Sequence, residues 1–176
     1  MKSMDIIRNT LNNCERGTFG LIEDMRDAPL TQPTSHGGNH PHWVLGHLTL
    51  VEGNIPALIL GEKSEVQHLA PLFAAGTEPK PDGAGYPSYD ELLGTYRRLR
   101  QRNMEIFESL GETGLDKPLK MVPQGLEKFM RTAGDVFVTI AMHQMGHRGQ
   151  IADARRVAGR KPVFTPGPPV PNTVAM

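Results

Sequence analysis

Residues Ile7, Leu11, Cys14, Thr18, Leu21, Ile22 and Met25 recur at steps of three and four, the period of one helix face, and predict a helix from about Met4 to Asp27. Gly17 and Gly20 weaken its middle. The loop APLTQPTSHGGNH follows, and Pro41 suits the first turn of a second helix because its missing N–H is not needed there. That helix carries Trp43 to Leu60 with a stripe of Val44, His47, Val51, Asn54, Ile55 and Leu58, and Pro56 within it predicts a kink. From Gly61 to Pro87 glycine and proline dominate around the short apolar patch LAPLFAAG, which predicts a long crossover containing one helical turn. Ser88 and Glu91 form a capping box for a third helix, whose stripe is Leu92, Tyr96, Leu99, Asn103, Ile106 and Leu110. After a second connection, Gly111 to Arg131, Thr132 caps a fourth helix reaching about Gly159. Its stripe is Val136, Ile140, His143, His147, Ile151, Ala154 and Ala158. No strand-period pattern and no internal repeat stands out. The expectation is an all-α four-helix bundle over residues 1–160, followed by a Pro-rich extended tail at 161–176 that serves as an arm or a solvated terminus.

Composition narrows the partners. At 176 residues the chain is one ordinary domain, and its 19 Lys+Arg balance 19 Asp+Glu, so no global field draws nucleic acid or anionic lipid. The densest basic cluster, Arg97, Arg98, Arg100 and Arg102, is flanked by Asp90, Glu91, Glu105 and Glu108 and reads as a mixed solvated face. Cys14 is the only cysteine, which fits a reducing cytoplasm and excludes a multi-cysteine metal site. The N-terminus lacks a signal-peptide pattern, and no stretch is expected to supply the roughly 20 apolar residues that cross a bilayer. A small-molecule substrate, with neither nucleic acid nor membrane as partner, is the resulting expectation.

Histidine carries the chemistry. His47, His143 and His147 all fall on stripes that must face the interior, where an unpartnered polar group costs roughly 1–3 kcal/mol. Two histidines four apart present their rings one turn above the other, and a third ring from a neighbouring helix would complete a divalent-metal site. Core histidines bonded to backbone or to each other are the alternative. His36 and His40 share the same spacing, but GGN lies within a loop between them, so they carry little weight as a site; His42 and His68 read as surface residues. HQMGH lacks the Glu that a zincin places after its first His, and Glu65-Val-Gln-His68 is a lone Glu-x-x-His where a di-iron centre needs two.

The segments HPHWVLGHLTLVEGN and MHQMGHRGQIADARR together resemble the DinB/YfiT-like group of bacterial four-helix proteins, over most of the chain from about Met4 to Pro162. The resemblance implies an up-down-down-up bundle that often forms homodimers, with His47, His143 and His147 as the metal ligands. Members of that group include bacillithiol and mycothiol S-transferases and a thiol-dependent maleylpyruvate isomerase, so it predicts the site better than the substrate.

Three neutral imidazoles leave a divalent ion's charge uncompensated and a coordination position open, as in catalytic zinc sites. The expected function is therefore a metal-dependent, thiol-dependent S-transferase or a hydrolase, with a low-molecular-weight thiol as cosubstrate. The alternative is a non-enzymatic metal- or ligand-binding bundle. Three histidines do not distinguish Zn, Ni, Fe and Mn. Around the histidines, Gln150 is placed to orient a ligand or else to pack or make an interhelical hydrogen bond, Trp43 to wall the pocket or fill the core, and Arg148 to meet an anionic substrate or form an ion pair. Glu52 points away from the His47 face and favours a salt bridge, Met142 and Met145 read as packing residues, and no general base stands out. Proton competition predicts metal release below about pH 6, because imidazole titrates near 6.5.

Overall fold

The computed structural model describes residues 2–32 and 38–161. His36 and nearly all of the Pro-rich tail therefore lie outside the described residues. The described chain is all-helical: α1 (Ser3–Asp24), α2 (Pro41–Leu60), a 3-10 turn (Gln67–Leu69) leading into the one-turn α3 (Ala70–Phe73), α4 (Tyr89–Gly114) and α5 (Ala133–Val157). α1 packs along α5 and α2 along α4. Capping boxes at Ser88 with Glu91 and at Thr132 with Asp135 start α4 and α5 where the sequence places them.

The start of α2 was only half legible. Pro41 occupies the first turn as expected, but the cap is His40, whose Nδ1 accepts from the Trp43 N–H at 3.1 Å while its Nε2 lies 3.0 Å from the Lys80 carbonyl. His40 is thus buried structure. His42, expected at the surface, is half-buried between Tyr86 and Tyr89, with Nε2 2.8 Å from the Pro87 carbonyl. His68 is exposed, as expected.

Pro56 lacks an N–H, so the Glu52 carbonyl one turn earlier has no helical partner. The helix nevertheless continues to Leu60, because Asn103 of α4 donates its side-chain N–H to that carbonyl at 2.9 Å. α2 is almost wholly buried rather than amphipathic. By length and composition it is apolar enough to cross a membrane, contrary to the sequence expectation, yet 83% of its most apolar window is inside the protein, which makes it the central core helix.

Two apolar clusters form the core. One gathers Trp43, Val44, Leu48, Phe73, Leu92 and Tyr96, and the other Leu11, Ile55, Phe107, Val136, Phe137 and Ile140. Along α2, α4 and α5 a polar layer intervenes: Glu52, Arg100, Asn103 and Gln144, all buried. The Glu52 carboxylate accepts from Arg100 Nη1 at 3.0 Å and Asn103 Nδ2 at 2.7 Å, and Gln144 donates to the Tyr96 hydroxyl at 3.0 Å. Glu52 makes the salt bridge its position favours. Arg100 corrects the reading of a solvated arginine face, because its place on the Tyr96–Asn103 stripe outweighs its charge once Glu52 faces it. Arg97, Arg98 and Arg102 do form surface pairs, with Glu23, Glu65 and Glu62.

Met142 and Met145 are exposed, Met142 at 70%, so neither packs the core. They lie on the outer face of α5, while the inner face is taken by Ile140, Gln144 and Ile151.

Candidate metal centre

The long crossover and two helices build the centre. Gly46 on α2 has no side chain where a Cβ would fall 2.4 Å from the Phe73 ring, and this gap seats fully buried Phe73 against α2. Seated there, Phe73 turns its carbonyl to His47 Nδ1 at 2.7 Å. A carbonyl can only accept, so Nδ1 carries the proton and His47 Nε2 keeps its lone pair. On α5, Gln150 Oε1 lies 2.7 Å from His147 Nδ1 and imposes the same tautomer.

His143 stands between them. Its Nε2 is 3.1 Å from His47 Nε2 and 3.0 Å from His147 Nε2, and one ligand atom from each ring lies within 4.8 Å of the others. Of the two lone pairs facing it, a single His143 proton satisfies one. A cation satisfies all three rings. Nitrogens about 2.0–2.1 Å from a tetrahedral ion sit about 3.3 Å apart, close to the two spacings at His143, while the His47 and His147 nitrogens lie within 4.8 Å of each other. His143 Nδ1 is buried with no hydrogen-bond partner among the described residues, leaving this ring the least oriented.

Electrostatics keeps the rings in their metal-binding form. Burial lowers the pKa of all three below the ordinary 6.5, and for His143 burial with its two neighbours brings it down to about 4. All are neutral at pH 7. Proton competition accordingly sets in at lower pH than the bare imidazole value indicates.

Trp43 lies in the core and lines the histidine cavity. It stacks on His47 with centroids 4.9 Å apart and 8° between planes, and its indole N–H donates to Thr77 at 3.1 Å. Gln150 orients His147 directly. Arg148 lines a groove between α1 and α5 rather than the histidine cavity, folds over Gly17, and forms no ion pair with a described residue. One step past His147 turns a side chain about 100° around the helix, away from the rings.

The histidines open into a cavity of about 470 Å³ whose far wall is the crossover after α3, including Thr77 and Glu78, with Asn39 ahead of α2. Sequence reasoning missed the Phe73 carbonyl, Asn39, Thr77 and Glu78. Only the length of the crossover signalled that it would take part.

The family model of the DinB superfamily matches residues 10–151. The chain belongs to the DinB superfamily. That match spans α2 and most of α5 and so contains all three histidines. Among curated proteins, none matches. The DinB membership and the three-histidine cluster fit a metal-binding group.

Proposed function

We propose that His47, His143 and His147 hold one divalent metal ion and that this DinB-superfamily chain uses it to activate a small nucleophile, most directly a low-molecular-weight thiol. One observation carries the reading: Phe73 and Gln150 force two rings to turn lone pairs onto the third, an arrangement unfavourable for imidazoles alone. Such an ion supplies a Lewis acid that brings a thiol or water to its anion near neutral pH.

The chain's own groups set the rest. The Phe73 carbonyl and Gln150 fix ring tautomers, Trp43 shields one side of His47 from water, and the pocket beside Thr77 and Glu78 admits the electrophile. In the transfer, the thiol gives up its proton to solvent in the open cavity, its sulfur pair forms the new S–C bond, and the leaving group departs with its own bonding pair. Hydrolysis differs only in water replacing the thiol. The bundle order we propose, up-down-down-up, is supported by the pairing of α1 with α5 and α2 with α4. We propose a reducing cytoplasm, which the single buried Cys14 suits, and a homodimer joined through exposed apolar residues such as Val138, Met142 and Phe129.

A second reading has one observation in its favour. Among the described residues Glu78, itself exposed, is the only carboxylate lining the cavity, and no other carboxylate stands beside the rings, as suits a metal-binding module without turnover. The full chain, purified without a His tag, separates the readings. Metal content is measured for the parent and for His47→Ala, His143→Ala and His147→Ala, followed by thiol consumption with chlorodinitrobenzene and a panel of low-molecular-weight thiols. Metal loss in all three variants, with thiol consumption that disappears alongside, supports the enzyme. Metal loss without any parent activity supports the module, and unchanged metal content removes the site.

A further inference from the structure

A groove of about 930 Å³ runs between α1 and α5 and shares no residue with the histidine cavity. Its walls carry five guanidinium groups, from Arg16, Arg148, Arg155, Arg156 and Arg160, and among the described residues no carboxylate lines it. Neighbouring acids neutralise part of this charge. Asp24 lies 2.7 Å from Arg155 and 3.4 Å from Arg160, Asp27 2.5 Å from Arg160, and Asp153 3.1 Å from Arg156. Arg16 and Arg148 form no ion pair with a described residue, so two positive charges stand uncompensated in a concave site of a chain whose formal net charge is zero.

The groove is built, not incidental. Arg155 has only 7% of its side chain exposed and is clamped by Asp24 and by the Lys161 carbonyl at 2.8 Å, which gives one rigid wall. Arg148 folds over α1 at Gly17, where a Cβ would stand 2.8 Å from its guanidinium carbon, the far end of a flexible side chain. Glycine inside a helix is entropically unfavourable, and at position 17 it leaves room for a cation folded onto α1. Leu21 and Ala152 give the lining an apolar strip beside the charges.

We infer that this groove binds a small phosphorylated molecule, its phosphate held by Arg16 and Arg148 and its organic part laid along Leu21 and Ala152. Planar guanidinium groups match phosphate oxygens in pairs, and the volume suits a small ligand rather than a polymer track. Binding here is independent of the metal reading, because no histidine of the centre contributes.

The test is calorimetric titration of the full chain with inorganic pyrophosphate and with glycerol phosphate, at fixed ionic strength and with glycerol as the neutral control. Saturable binding of one equivalent of each phosphate, and none of glycerol, is expected. Arg16→Ala and Arg148→Ala should each weaken it at least about tenfold. Arg97→Ala and His143→Ala should leave it unchanged, with helical circular dichroism retained in every variant. Absence of saturation in the parent, or parent affinity in Arg16→Ala or Arg148→Ala, overturns the proposal. So does loss of binding in His143→Ala, which would move the anion to the histidine centre. An Arg148-dependent preference for a short DNA duplex over both phosphates would overturn the small-molecule assignment.

Discussion

Replacing Gln150 by leucine removes one oxygen from the centre and leaves all three ring ligands in place. Gln150 Oε1 sits 2.7 Å from His147 Nδ1, the contact that keeps the proton on Nδ1 and the lone pair on Nε2. Without it the His147 ring is free to carry its proton on Nε2, the atom that must face the metal. Reversing that tautomer and losing the hydrogen bond together cost about 1–1.5 kcal/mol, the net value of one such bond. At 1.4 kcal/mol per decade this is about tenfold in metal affinity, at the lower end of the range for outer-shell partners of metal-bound histidines. Competition of Zn²⁺ against a chromophoric chelator at pH 7.5 reads the change directly. Gln150→Leu should bind about tenfold more weakly, Gln150→Glu at least as tightly as the parent because a carboxylate is the stronger acceptor, and His147→Ala far more weakly than either. Since residue 150 is only half-buried, the metal-free leucine variant should unfold within about 0.5 kcal/mol of the parent. If Gln150→Leu held zinc within twofold of the parent, the reasoning from tautomer to affinity would be refuted.

Gly46→Ala should displace the Phe73 ring, cost about 1–3 kcal/mol by overpacking, and lower zinc affinity because the His47 acceptor moves with that ring; urea unfolding and the chelator assay measure the two effects. Glu52→Leu leaves buried Arg100 with only Glu15 at 3.5 Å as a counter-charge and should cost about 3 kcal/mol, whereas the double variant Glu52→Leu/Arg100→Leu should regain part of it; equal destabilisation of the two would contradict a buried ion pair. For the metal-free chain, folded-state pKa values of His47, His143 and His147 lie below the unfolded 6.5, so the unfolded state takes up protons first and stability falls as pH drops from about 6.5. For His143, brought down to about 4, the full loss would be ~3 kcal/mol at complete burial and about half that for a ring open to the pocket. Urea midpoints taken between pH 7 and 5, above the main carboxylate range, should decline in the parent and decline less in His143→Ala.

Helix existence, the inward placing of three histidines and two of the caps are legible in the sequence because each depends on local or periodic information. Ser88 with Glu91 and Thr132 with Asp135 close rings within four residues, and a stripe at steps of three and four states which face is inward before any partner is known. His47, His143 and His147 were visible for that reason: a histidine on an apolar stripe is conspicuous. The outlying errors share a different cause. Arg100 was assigned to solvent since its charge is local information, whereas Glu52, which admits it to the core, lies 48 positions away. His40 became a cap and Met142 a surface residue through the packing of a loop and the turning of α5, neither of which has a periodic signature. Which atoms hold the imidazole tautomers was decided by tertiary structure too, because the Phe73 carbonyl reaches His47 only after a crossover folds against Gly46. Periodicity identifies the face a side chain occupies; the group opposite that face belongs to a distant segment and exists as a neighbour only once the helices have packed.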